Sequence, residues 1–138
     1  MPRFLQRSTN NKKQVSIDGS KMNIDEWTET LFFATNPTFE TILLQTSEDD
    51  IAFDILDSIY SHPPLTIAGR LVAFLYKRFL YFEGQANKGV TVVTSDLSTD
   101  ETAKLDSAFL EFAHINNLDP AFMDWFEDCI NFFHPSSS

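Results

Sequence analysis

The pattern of apolar and polar residues predicts one strong helix in the middle of the chain, followed by a short strand. Across residues 65–82, apolar residues recur at helical spacing along one stripe, and we expect Arg70, Lys77 and Arg78 on its other sides. Residues 90–93 form a β-branched run after a glycine turn. A helix that leads into such a strand is half of a crossover unit, so the pattern predicts an α/β fold.

Weaker patterns predict further elements on both sides of this unit. A strand is indicated at residues 14–17, and a buried strand at residues 39–44 fits an apolar, β-leaning run. Residues 51–60 fit either a short helix or a loop that tucks its aromatics into the core. The predicted N-caps are Asn23 with Glu26, Ser98 with Glu101, and Asp119 before Pro120. The confident elements therefore run helix, strand, helix, strand, helix, helix.

Composition indicates a single domain and limits the kinds of partner that the chain can bind. Its 138 residues are 43% hydrophobic, enough for one ordinary core. The net charge is −10. Up to Lys21 the chain carries five basic residues and one acid, a net charge of +4, so the rest of the chain carries −14. Such an acidic body repels phosphate backbones and anionic lipid, so we expect neither nucleic acid nor membrane as a partner. We predict a flexible basic lead-in at 1–21, a partial domain at 22–134 and a disordered tail at 135–138.

Cysteine usage and the absence of a signal pattern favour the cytoplasm. Cys129 is the single cysteine, so neither an internal disulfide nor a thiolate zinc cluster can form within one chain. The basic N-terminus has no apolar run of signal-peptide length behind it, and no later stretch reaches about 18 uncharged apolar residues. We predict a reducing, cytoplasmic compartment.

Two predicted strands end in hydroxyl and carboxylate side chains. Thr46, Ser47 and Glu48 follow the first of these strands, and Ser95 and Asp96 follow the second. Open α/β sheets place their ligand crevice beyond the carboxyl ends of the strands. The alternative is that these residues belong to a solvated loop without a ligand. A solvated surface is also expected for the acids Asp49, Asp50, Asp54 and Asp57. The chain has no glycine-rich phosphate loop, no paired histidines and no EF-hand spacing, so we predict no metal site.

Several stretches, taken together in order and spacing, resemble the tagaturonate reductase (altronate oxidoreductase) branch of the mannitol dehydrogenase family. The resemblance covers roughly residues 24–134. The stretches that carry it are DEW at 25–27, the strand end at 46–48, LVAFLYKRF at 71–79, KGVTVV at 88–93 and LDPAFMDW at 118–125. Two acids, Asp49 and Asp50, stand where the family carries small residues.

The resemblance implies the later half of an NAD-dependent sugar-acid or polyol dehydrogenase domain. The expected fold is an incomplete Rossmann-like three-layer piece, with a small mostly parallel sheet and flanking helices. NAD is the implied cofactor, and Thr46, Ser47, Glu48, Ser95 and Asp96 are the implied cofactor-binding residues. No catalytic residue is expected, because in that family the catalytic side chains belong to a helical C-terminal domain.

Two hypotheses follow, and they leave open whether the chain acts as an enzyme. In the first, it is a truncated or split dehydrogenase fragment, inactive alone and completed by a second polypeptide or by a homo-oligomer. In the second, it is a non-catalytic interaction protein that holds a partner through its acidic face and the C-terminal aromatics Phe132 and Phe133.

Overall fold

A single parallel sheet forms the centre of the protein. The computed structural model describes residues 14–46, 54–94 and 97–133. All neighbouring strands pair in parallel, and their order in the sheet is their order in the chain. The α/β fold with a parallel sheet and flanking helices is thus confirmed. The strands are β1 (Gln14–Ile17), β2 (Thr41–Leu44), β3 (Thr91–Thr94) and β4 (Asn131–Phe133).

Four α-helices connect the strands in the described parts of the chain, and all three predicted N-caps are confirmed. Asn23 and Ser98 each form a capping box, in which the side chain of the residue three positions later bonds back to the cap. Asp119 caps a helix that has Pro120 in its first turn. The helices are α1 (Ile24–Phe32), which continues as a 3₁₀ turn at Phe33–Thr35, α2 (Ile67–Tyr81), α3 (Thr99–Ile115) and α4 (Pro120–Cys129).

The described helices all lie over the same face of the sheet. Right-handed crossovers that step repeatedly in one direction place every helix on one side. Strand register agrees: Ile17, Leu44 and Thr94 form one buried row across three strands. The neighbouring row also packs into the helical core and consists of Val15, Ile42, Val92 and Phe132. Among the described residues, the side chains of the opposite face are outside this core.

Arg78 is buried, so its expected place on an outer side of the helix is wrong. It is 1% exposed, and its guanidinium donates to the carbonyls of Lys88 (2.6 Å), Ala34 (3.0 Å) and Asn36 (2.9 Å). A guanidinium carries five N–H donors, enough to reach three carbonyls on two separate segments. Burial lowers the pKa of Arg78 to about 10. The side chain therefore fastens the amino-terminal edge of the sheet to α2.

Residues 54–60 form turns, so the helix is wrong for the described part of this segment. The inward-tucked aromatics are wrong there too, because Tyr60 is 80% exposed. Asn116, at the end of α3, holds the segment in place. Its side-chain oxygen accepts from the backbone N–H of Ile59 at 3.0 Å, and its amide donates to the carbonyl of Phe112 at 2.9 Å. The segment is thus tied to the helical layer close to the start of α2.

Candidate functional site

The carboxyl ends of three neighbouring strands meet at one edge of the sheet. Register places Ile17 beside Leu44, and Leu44 beside Thr94, so that β1, β2 and β3 end level with each other. The backbone N–H of Gln45 donates to the carbonyl of Ile17 at 2.9 Å, which continues the β1–β2 pairing past the end of β2. This edge, called here the carboxyl edge, is where an open α/β sheet binds its ligand.

Of the five predicted cofactor-binding residues, Thr46 belongs to the part of the chain that the structure describes. It is partly buried and lies two positions beyond the end of β2. Ser47, Glu48, Ser95 and Asp96 lie outside the described residues, so their approach to Thr46 stays a prediction.

Thr94 immediately precedes the second predicted pair. It is 2% exposed, and its hydroxyl donates to the carbonyl of Phe133 at 3.4 Å. The side chain of Thr94 therefore faces the helical core at the end of β3.

Asp18 is an acid at the carboxyl edge that the sequence reading did not select. It follows β1 directly, and its Oδ1 accepts from the backbone N–H (3.0 Å) and the hydroxyl (2.6 Å) of Ser20. The hydroxyl bond is the main reason why the pKa of Asp18 is lowered, and Arg70 adds a smaller attraction. Asp18 is thus held as a carboxylate within a tight turn. This turn, residues 18–20, is called here the β1 turn.

Arg70 fastens the same turn to α2 and is buried, contrary to its expected place on an outer side of the helix. One guanidinium nitrogen, Nη1, donates to the carbonyls of Asp18 (2.7 Å) and Ser20 (2.8 Å). The Nε atom donates to the carbonyl of Pro64 at 2.9 Å. Arg70 therefore sets the distance between the β1 turn and the segment that leads into α2.

Asp57 occupies the amino-terminal end of α2. It is 4% exposed, so its predicted place on a solvated acidic surface is wrong. Its Oδ2 accepts from the backbone N–H (3.0 Å) and the hydroxyl (2.5 Å) of Thr66, and its Oδ1 accepts from the N–H groups of Leu65 (2.6 Å) and Ser58 (2.9 Å). The positive end of a helix favours an anion. Here a carboxylate of the protein itself takes that place.

Other residue types that could carry chemistry have ordinary surroundings. His62 and His114 are exposed, as expected for surface histidines. Burial and the nearby Asp128 raise the pKa of the Cys129 thiol, which opposes formation of a reactive thiolate. Within the described ranges, no group of three or more His, Cys, Asp or Glu side chains could hold a metal ion. No helix among these residues is long and apolar enough to cross a bilayer.

The C-terminal aromatics point to opposite faces of the sheet. Phe132 packs against the rings of Phe109 and Phe126, with centroid distances of 5.6 and 5.8 Å. Phe133 is 56% exposed on the face that carries no described helix. Holding a partner through both aromatics stays a prediction, and the structure makes Phe133 the accessible one.

Comparison with known proteins finds similarity to altronate oxidoreductases. The chain is 30% identical to the altronate oxidoreductase of Bacillus subtilis over 99 residues, which cover 72% of this chain and 21% of that protein. It is 29% identical to that of Pectobacterium carotovorum over 103 residues, covering 75% and 21% of the two chains. The Bacteroides thetaiotaomicron protein of the same name is 29% identical over 100 residues, covering 72% and 21%.

The similarity is partial. No protein-family model matches the chain, and no solved structure matches it. The chain spans about a fifth of the length of the curated relatives it matches. What the fold and the comparisons establish together is an α/β chain with a parallel sheet that is similar to one portion of an altronate oxidoreductase.

Proposed function

We propose that the chain forms part of the NAD-binding domain of a sugar-acid or polyol oxidoreductase of the mannitol dehydrogenase family. The observation that carries this proposal is the level ending of β1, β2 and β3 at one edge, in a chain similar to altronate oxidoreductases. Dinucleotides bind outside the carboxyl ends of such strands. The cofactor proposed for this edge is NAD, as the resemblance implies.

Thr46 has a suitable position for contact with the cofactor. It is the first residue of the predicted set and is partly buried, and a threonine hydroxyl is able both to donate and to accept a hydrogen bond. Ser47, Glu48, Ser95 and Asp96 are proposed as further contacts, because they directly follow β2 and β3 in the chain.

The described residues contribute little to holding a pyrophosphate. Asp57 already fills the amino-terminal end of α2, and its negative charge would repel a phosphate there. We therefore expect weak binding of NAD⁺ by the chain alone, with a dissociation constant of about 1 mM.

We propose that the chain alone is inactive, because no catalytic residue is assigned to it. The cytoplasm is the proposed location, since a single cysteine fits a reducing compartment.

Isothermal titration of the purified chain with NAD⁺ tests the proposal. We expect saturable binding that weakens several-fold in Thr46→Val. The control is Thr28→Val on α1, where the exposed hydroxyl donates to the carbonyl of Ile24; it should leave binding unchanged. Absence of binding at several millimolar NAD⁺, or equal binding by Thr46→Val and the unchanged chain, would overturn the proposal.

A further inference from the structure

The face of the sheet that carries no described helix is uncharged. This face, called here the open face, has eight side chains in two rows across the four strands. None of the eight is charged, although the chain as a whole has a net charge of −10. The first row is Gln14, Thr41, Thr91 and Asn131, and the second is Ser16, Leu43, Val93 and Phe133.

The second row of the open face is mainly apolar. Leu43 and Val93 are partly exposed, and Phe133 is 56% exposed. All three lie outside the core that the helices cover. Parallel sheets are found almost always with both faces buried, because crossover helices cover them. This sheet therefore has a surface suited to a second helical layer.

A second copy of the chain is a poor occupant of the open face. Strands about 4.8 Å apart, with about four residues of 3.3 Å each, give a footprint of about 250 Å². Two copies would bury about 500 Å² there, and stable interfaces bury about 1,200 Å² or more. A second copy would also bring another net charge of −10.

An occupant that also extends the sheet has a larger surface available. The strand order runs in one direction from β1 to β4, whereas a doubly wound sheet reverses its direction beside a central strand. Within the described residues β1 pairs with β2 alone, so further strands can be added on its other side. The matched relatives are about five times longer than the region they share with this chain.

We propose that the open face and the side of β1 away from β2 bind a second polypeptide segment. This segment resembles the part of an altronate oxidoreductase that lies outside the matched region. That segment supplies strands beside β1 and helices over Leu43, Val93 and Phe133. This inference rests on the proposed function, and it places the nucleotide crevice at the junction of the two pieces. The chain then contributes one side of the crevice and the segment contributes the other.

Co-expression tests this assignment. The tagged chain is produced together with the altronate oxidoreductase of Bacillus subtilis from which the 99 matched residues have been deleted. We expect a 1:1 complex that co-purifies. Phe133→Lys should weaken it at least about tenfold, because a charge placed in an apolar contact must be desolvated. Leu110→Lys is the matched control, since Leu110 is 52% exposed on α3, in the helical layer; it should leave the complex intact.

Two outcomes overturn the docking assignment directly. One is that the two pieces do not co-purify, and the other is that Phe133→Lys binds as well as Leu110→Lys. Circular dichroism and urea unfolding of both variants test whether each is folded. Sedimentation of the chain alone adds an independent readout, for which we expect a monomer. A dimer that Phe133→Lys dissociates would assign the open face to a second copy and overturn the proposal.

Titration of the complex with NAD⁺ separates this inference from the proposed function. A complex that forms but has no affinity for NAD⁺ keeps the docking surface and overturns the cofactor assignment. Binding of NAD⁺ by the chain without any complex keeps the cofactor assignment and overturns the docking surface.

Discussion

Oδ2 of Asp57 lies so close to Gly69 that a Cβ atom on residue 69 would overlap it. The same carboxylate accepts from the N–H and the hydroxyl of Thr66, the N-cap of α2. Thr66 in turn accepts from the N–H of Gly69 at 2.9 Å. The buried carboxylate at the start of α2 therefore requires a glycine in the first turn of that helix.

Gly69→Ala should destabilise the protein by about 2 kcal/mol, because an overpacked site costs about 1–3 kcal/mol. Alanine favours a helix over glycine by about 1 kcal/mol, so the loss is smaller than the steric clash alone would cause. Urea unfolding measures the change. In an Asp57→Ala background, Gly69→Ala should cost about 1 kcal/mol less. Equal costs in both backgrounds would contradict the contact.

Asp57→Asn should lower the free energy of unfolding by about 2 kcal/mol. The amide loses the negative charge that the N–H groups of α2 stabilise, and its NH₂ group cannot accept from Thr66. Asp54→Asn is the matched control in the same segment. Asp54 accepts from Leu56 N–H at 2.9 Å in an exposed turn, so this change should cost under about 0.5 kcal/mol. The prediction fails if the two variants unfold at the same urea concentration.

Arg78→Met should destabilise the protein by about 3 kcal/mol or more. Methionine keeps much of the apolar volume but leaves the carbonyls of Ala34, Asn36 and Lys88 buried without their donor. The neighbouring Lys77→Met is the control, because Lys77 is exposed; we expect a change within about 0.5 kcal/mol. Chemical unfolding followed by tryptophan fluorescence compares the two. Similar stabilities would show that the carbonyl contacts contribute nothing.

Acidification should release the β1 turn. The pKa of Asp18 is lowered, mainly by the hydroxyl of Ser20, so its contribution to stability is present above the ordinary value of 3.8. It is lost as the pH falls through the lower value of the folded state. Between pH 5 and about 2.5, the thermal unfolding temperature should therefore fall less steeply for Asp18→Asn than for the unchanged chain. Parallel pH profiles for the two proteins would argue against the Ser20 contact.

Local signals were enough to predict most of the fold. The caps at Asn23, Ser98 and Asp119 act within three residues of themselves, so the sequence alone reveals them. β4 was not predicted, because it is three residues long and directly follows the apolar stripe of α4. Its position depends on pairing with β3, some forty residues earlier in the chain.

Buried polar side chains were the main failure of the sequence reading. Arg78 bonds to carbonyls 42 and 44 residues away, and Arg70 bonds to carbonyls 50 and 52 residues away. A helical-stripe pattern treats every charged residue as exposed, so it cannot identify such partners. For the same reason Asp57 was grouped with surface acids. Of the predicted site, the sequence located the strand end beside Thr46 and missed Asp18.

The central claim, that the carboxyl edge binds a nucleotide, is tested most directly by NMR. Amide resonances of the ¹⁵N-labelled chain are followed during titration with NAD⁺ up to several millimolar. We predict the largest shifts at Ser20, Gln45 and Thr46, which all lie at this edge. Absence of shifts, or shifts confined to Gly89 and Asn131 at the opposite edge, would contradict the claim.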